Sequence, residues 1–255
     1  IEILKNYVEI NKKKFLTSVF DIESLKFIYD IGCKIIKIPS GEMNNHQLLE
    51  LASKMKLDLI ISTGMAEYKD IKKTYNFLKK IKTSDKKISF LHCVSDYPTN
   101  IKDLNLRYIK TLRDKFFKNK IGFSDHSLDE FSSMIAVSQG ANIIEKHVTL
   151  DRSMEGPDHK SSIDLKNFNN FVKNIRNVEL MLGKKYKTLN VSEQKNSLIV
   201  KKSIYASKSI KKGEYFNQDN ITLKRPMLGL SADMWFKILG KRAKKSYLAD
   251  ETIEE

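Results

Sequence analysis

The sequence predicts an α/β fold, a parallel sheet clothed by helices, followed by a small β-rich module. Three observations carry that expectation. Over residues 1–182 short apolar runs alternate with amphipathic stretches of helical length. Small and polar residues recur where the apolar runs end, as they do at the C-terminal edge of a parallel sheet. Beyond residue 202 the pattern changes to short alternations broken by turns.

Strands are expected at 15–20, 34–39, 58–63, 88–95, 120–124 and 142–148, each short, apolar and bounded by polar residues or glycine. Between them, 22–31, 45–56, 68–81, 104–114 and 128–139 read as helices, with 164–182 after the last strand. Gly32 and Gly140 stand where helix C-caps belong. Six successive βα units do not close an eight-stranded barrel. The pattern therefore fits an open doubly wound sheet or a barrel short of two units. Residues 183–202 are rich in lysine, asparagine and serine and read as a linker. Residues 203–255 form the small module, with alternating runs at 203–206 and 221–224 around the turn Lys212-Gly213-Glu214.

Composition narrows the partners. The net charge is +15, but the base is almost entirely lysine and is spread along the chain. Arginine occurs only at 107, 113, 152, 176, 225 and 242. A nucleic-acid surface would cluster Arg and Lys among aromatics, so a solvated lysine surface is expected and no nucleic-acid partner. No apolar run approaches the roughly 20 residues of a membrane helix, so no membrane partner is expected either. Cys33 and Cys93 lie in or beside strand-like runs, as reduced thiols would, which makes a cytoplasmic location the default expectation.

The chemistry-bearing residues cluster at strand ends. His126 and His147 follow two successive strands, and a β-α-β unit places them at the same end of neighbouring parallel strands. Two neutral imidazoles there make a candidate divalent-metal site that leaves positions open for water or a substrate oxygen. Asp125 and Glu145 could orient those imidazoles as hydrogen-bond acceptors, or be ordinary surface acids. Lys37 lies inside a strand, and Ser40, Ser62 and Ser124 lie at strand ends, a set suited to a phosphate or carboxylate. The competing account is that the serines mark βα turns and Lys37 snorkels to solvent. Glu42, Tyr97 and Asp158 follow strand ends and could bind a polyol or move a proton, though each also suits a solvated loop. The polar stretch 155–162 reads as a rim of the site. His46, His92 and His159 lack a partner of this kind and read as structural.

Taken together the motifs are recognisable. Lys37-Ile38-Pro39-Ser40-Gly41-Glu42, Ser62-Thr63-Gly64-Met65, Leu91-His92-Cys93-Val94-Ser95-Asp96-Tyr97-Pro98-Thr99, Gly122-Phe123-Ser124-Asp125-His126, Glu145-Lys146-His147 and Gly156-Pro157-Asp158 resemble the sialic acid synthase family. Lys224-Arg225-Pro226, Gly229-Leu230-Ser231 and Leu239-Gly240-Lys241 resemble that family's C-terminal antifreeze-like (SAF) domain. The resemblance implies a TIM-type (β/α)8 barrel, N-terminally incomplete over 1–182, and an enzyme that condenses phosphoenolpyruvate with an N-acylated hexosamine. The acceptor would be N-acetylmannosamine or a diacetylated analogue, as in N-acetylneuraminate or legionaminic acid synthesis. Lys37, Ser40, Ser62 and Ser124 would hold phosphoenolpyruvate, with Ser18 and Ser95 as further contacts. His126 and His147 would bind Mn2+, Mg2+ or Co2+. Glu42, Tyr97 and Asp158 would face the sugar, and Glu42, His126, His147 and Asp158 would form the catalytic set. Arg225 would reach the sugar from the other subunit of a homodimer, in which each SAF domain caps the partner's barrel. The resemblance further implies two upstream βα units that complete the site with a glutamate and a lysine-bearing strand.

Two other functional classes compete with this synthase. One is a non-catalytic carbohydrate- or anion-binding relative. The other takes the C-terminal module as ice-binding, which lysines 208, 211, 212 and 224 oppose, because such a face must be weakly polar.

Overall fold

The computed structural model describes residues 1–254. Helices α1 (Glu2–Ile10) and α2 (Ile22–Asp30) precede the sheet strands β1 (Ile35–Ile38), β2 (Asp58–Ser62), β3 (Ile88–Cys93), β4 (Lys120–Asp125) and β5 (Ile143–Lys146). These five strands are all parallel and pair in that order. The crossovers carry α3 (His46–Lys54), α4 (Tyr68–Lys80), α5 (Arg107–Lys115) and α6 (Phe131–Ser138). A separate short ladder joins β6 (Val148–Thr149) to β7 (Ile163–Asp164), and α7 (Leu165–Leu182) follows.

Alternation along the strands decides which face does what. Ile36, Ile38, Leu59, Ile61, Phe90, Ile121 and Phe123 are fully buried and pack against Leu48, Leu49, Ile71, Leu78, Ile109 and Leu112 of the helices. Burial of each such side chain is worth about 1.5–3 kcal/mol, so this face holds the unit together. The opposite face carries Lys37, Ser62, Cys93, Ser124 and Glu145 and lines a cavity. One apolar and one polar face rule out the doubly wound alternative, in which helices cover both. The sheet is a parallel half-barrel. Gly122 permits its tight β4–β5 approach, because a Cβ there would lie 2.5 Å from the Ile143 carbonyl oxygen.

Helix starts follow local capping. Asp21 accepts from the Ser24 amide at α2, Asn45 from the Leu48 amide at α3, and Glu67 with Asp70 forms a capping box at α4. The strand expected at 15–20 is reduced to a single bridge, Ser18 to Lys37. Val19 and Lys37 still exchange backbone bonds with Lys37 and Thr17. The chain then leaves the sheet because Asp21 caps α2.

The chain divides by its contacts into two units, with the boundary between Gly183 and Lys184. The second unit contains α8 (Val191–Val200), the antiparallel pair β8 (Ser203–Ala206) and β9 (Ile221–Lys224), and the short α9 (Trp235–Ile238). Its own core is built on Ile204, Ala206, Ile210, Phe216, Ile221, Ile238, Ala243, Tyr247 and Ile253. The segment expected as a linker over 183–202 carries a helix: Asn190 and Glu193 form a capping box that starts α8 within it.

Candidate functional site

The polar inner face concentrates charge at its centre. Lys37 is only 8% exposed and reaches across the sheet to place Nζ 3.1 Å from Glu145 Oε1. Ser124 Oγ donates to the same oxygen at 2.6 Å. A cation and a hydroxyl thus converge on one carboxylate oxygen, the arrangement that holds an oxyanion. Beside them Ser62 is 2% exposed, and its Oγ has no hydrogen-bond partner among the described residues. A buried hydroxyl left unpaired costs about 1–3 kcal/mol, so Ser62 Oγ has bonding capacity to offer a group that enters the cavity.

The Ser62-Thr63-Gly64 turn brings more hydroxyls in. The Gly64 amide donates to Ser40 Oγ at 3.0 Å. A Cβ at Gly64 would lie 2.2 Å from Ser95 Oγ and 2.8 Å from Ser40 Oγ, so only glycine lets both serines close on the turn.

His126 lies at the end of β4, and its Nδ1 is 2.7 Å from the Val94 carbonyl oxygen. A carbonyl only accepts, so Nδ1 carries the hydrogen and the neutral ring keeps its lone pair on Nε2. Burial holds His126 below the ordinary histidine pKa and so favours that neutral form. His147 meets it edge to face, with ring centroids 5.3 Å apart at 88°. Tyr97 covers both rings, at 4.1 Å from His126 and 5.7 Å from His147. Asp158 Oδ2 stands 3.8 Å from His147 Nδ1.

Residues 1–187 match the NeuB family model and residues 201–255 the SAF domain model. The chain belongs to the NeuB family. It is 42% identical over 241 residues to the N,N'-diacetyllegionaminic acid synthase of Campylobacter jejuni, covering 94% of this chain and 72% of that protein. Its fold is similar to that of a crystal structure of a putative spore coat polysaccharide biosynthesis protein E from Chromobacterium violaceum. That similarity has a TM-score of 0.85 at 28% identity and covers 99% of this chain and 76% of the other. It is also similar to an N-acetylneuraminic acid synthetase from Leptospira borgpetersenii crystallised with citrate, with a TM-score of 0.71 at 35% identity, over 76% of this chain and 67% of that one.

In this NeuB-family chain one cavity of about 680 Å³ is lined by Ser18, Lys37, Ser40, Ser62, Ser95, Tyr97, Ser124, His126, His147 and Asp158. Two residues expected at the site are not among its lining. Glu42 turns aside because its carboxylate accepts from Asn45 Nδ2 at 2.8 Å, next to the cap of α3. Arg225 is exposed just beyond β9 in the second unit. The expected orienting roles of Asp125 and Glu145 are also corrected. Asp125 bonds outside the cavity, to Ser127, Ser132, Ser133 and Lys146, and it is the Val94 carbonyl that orients His126. Glu145 pairs with Lys37 and Ser124.

Cys93 also lines the cavity, 3.8 Å from Ser40 Oγ and 4.0 Å from His126 Nδ1, and burial pushes its thiol pKa up. Sequence reading missed it as a site residue, although it stands in register with Ser124 and so shares its face. His46 stacks on Phe77, His92 bonds the Leu104 carbonyl and His159 bonds Thr149, all away from the cavity lining.

The donor set at the histidines is two imidazoles. No group of three or more His, Cys, Asp or Glu side chains able to hold a metal converges among the described residues. A borderline divalent ion fits such a set only with its remaining positions taken by water or substrate. No helix is long and apolar enough to cross a membrane among the described residues.

Proposed function

We propose that the chain is a sialic-acid-type synthase that condenses phosphoenolpyruvate with an N-acylated hexosamine, giving a nine-carbon sugar acid and phosphate. The observation that carries the reading is the convergence of Lys37 Nζ and Ser124 Oγ on a single oxyanion position, with the unpaired Ser62 hydroxyl beside it. That set suits an acid bearing both a carboxylate and a phosphate. The named activity of the Campylobacter jejuni relative favours a diacetylated hexosamine as acceptor, with N-acetylmannosamine as the other candidate.

In this reading Lys37, Ser40, Ser62 and Ser124 bind phosphoenolpyruvate, and Ser18 and Ser95 add hydroxyls at the margins. Tyr97 and Asp158 receive the sugar, with Asp158 placed to accept a proton from a hydroxyl bound beside His147. Glu42 and Arg225 join the sugar-binding set only if Glu42 leaves Asn45 and a partner subunit supplies Arg225. That arrangement is a homodimer in which each SAF domain caps the other barrel. Carbon 3 of phosphoenolpyruvate attacks the open-chain aldehyde, water adds at carbon 2, and the carbon–oxygen bond to phosphate breaks. Lys37 and the serine hydroxyls stabilise the charge on carboxylate and phosphate throughout. His126 and His147 would hold Mn2+ or a similar ion, which when bound supplies Lewis-acid polarisation of the aldehyde. The Val94 carbonyl fixes the tautomer that leaves His126 Nε2 free for that role.

The test is phosphate release on incubation with phosphoenolpyruvate, Mn2+ and each candidate sugar. Release that depends on the sugar supports the synthase. Phosphoenolpyruvate binding without release from any sugar, by a chain that also carries the upstream βα units, would instead identify a non-catalytic anion-binding relative.

A further inference from the structure

The most heavily bonded charged pair in the barrel unit lies outside the cavity. Asp125 is fully buried and the Lys146 side chain is 4% exposed, with Nζ 3.0 Å from Asp125 Oδ2. Ser132 Oγ and Ser133 Oγ donate to that same oxygen at 2.6 and 2.7 Å. The Ser127 amide and hydroxyl donate to Oδ1 at 2.9 and 2.7 Å, and Lys146 also donates to the Ser127 carbonyl. The chemistry proposed above uses none of these groups.

Their place in the ladder gives them a role. Asp125 is the register partner of Lys146, and Ser124 that of Glu145. Neighbours along a strand face opposite ways, so the buried pair stands back to back with Ser124 and Glu145. The next residue on each chain, His126 and His147, returns to the cavity. Among the described residues β5 ends the sheet, and all four of its residues are only partly buried. Such a strand has little apolar burial to fix its register, and a slip of one residue turns every side chain to the other face. A slip in one direction sets Glu145 against the buried Asp125, two like charges out of water. A slip in the other takes Lys146 into the cavity and leaves Asp125 without its cation. Both are costly.

We infer that the Asp125–Lys146 pair is a register clamp on β5 that aims His147 at His126, which makes both residues positioning residues. The inference rests on the proposed function for what the two imidazoles do, but not for how they are held.

The test separates these levels. In Lys146→Met, Asp125 keeps four hydroxyl and amide donors, so the fold should survive. Lys146→Arg restores the charge. NMR cross-peaks between the His126 and His147 rings report the aim without metal or substrate. The expected result is their loss in Lys146→Met and their return in Lys146→Arg, with circular dichroism unchanged. Affinity for Mn2+ alone, read by electron paramagnetic resonance, should weaken about tenfold in Lys146→Met and recover in Lys146→Arg. Unchanged cross-peaks in a folded Lys146→Met overturn the clamp. If Lys146→Met does not fold, Lys146→Gln is read the same way. A parent protein that shows the cross-peaks but binds no Mn2+ sinks the metal reading alone, and the cross-peak comparison still decides the clamp.

Discussion

Lys37 Nζ lies 3.1 Å from Glu145 Oε1, joining the first strand of the sheet to the last across its polar face. The pair does more than cancel charge. Because Ser124 donates to the same oxygen, it marks one point where a cation, a hydroxyl and an acid from three strands meet. An anionic substrate that takes Lys37 and Ser124 competes with Glu145 for both donors, and the 32% exposure of the Glu145 side chain lets water solvate it once displaced.

Lys37→Met should therefore damage binding far more than folding. Loss of a charge-assisted bond to substrate is worth about 1.5–3 kcal/mol, or roughly 10- to 150-fold in KM for phosphoenolpyruvate. The stability cost should stay near 1 kcal/mol because the Glu145 left behind can hydrate. Steady-state kinetics and urea unfolding measure the two, and an unchanged KM would remove Lys37 from the site.

His126→Ala should abolish metal-dependent activity and leave the fold intact. The ring is held by a bond from Nδ1 to the Val94 carbonyl, a 3.4 Å contact between Nε2 and Ser124 Oγ and a tilted contact with Tyr97, and no strand depends on it. Activity assays with and without Mn2+, alongside circular dichroism, give the answer. Full activity in the variant would refute the assignment.

Stability should fall as the pH drops below neutrality. Burial lowers the pKa of His92 and His126 in the folded state, so the unfolded chain, with an ordinary value near 6.5, binds the proton first. The stability from keeping these rings neutral is fully present above that value and is lost as pH falls towards the folded pKa. Each group contributes a slope of up to about 1.4 kcal/mol per pH unit in that window. Urea unfolding at pH 7.5 and 5.5 should show the loss, and His92→Gln should shrink it. A flat profile in the parent would contradict the burial of both rings.

The parts of this site legible in the sequence are those set by strand parity. A residue ending a parallel strand points to the same edge as its neighbours, so Lys37, Ser62, Ser124, His126 and His147 could be grouped before any contact was known. Loop residues escaped that logic: Glu42 looked equivalent to Asp158, but its turn hands the carboxylate to Asn45. Asp125 and Glu145 were misread because adjacency to a histidine in sequence means the opposite face in a strand for Asp125. For Glu145 a nearer cation, Lys37, wins the carboxylate. The helix inside 183–202 was hidden because it buries none of its residues and its start rests on the capping box of Asn190 and Glu193.

Ser62→Ala should separate stability from function in opposite directions. The Ser62 hydroxyl is buried at 2% exposure and unpaired among the described residues, so the folded chain loses the water its Oγ would bond when unfolded. Removing it deletes that penalty, and the variant should be as stable as the parent or more so by about 1 kcal/mol. If the hydroxyl waits for a substrate oxygen, the same change should weaken phosphoenolpyruvate binding by about tenfold, the worth of one hydrogen bond of roughly 1.4 kcal/mol. Thermal unfolding and calorimetric titration of the two proteins test both halves. A variant that is more stable and binds phosphoenolpyruvate as tightly as the parent would show the hydroxyl to be a packing defect rather than part of the site.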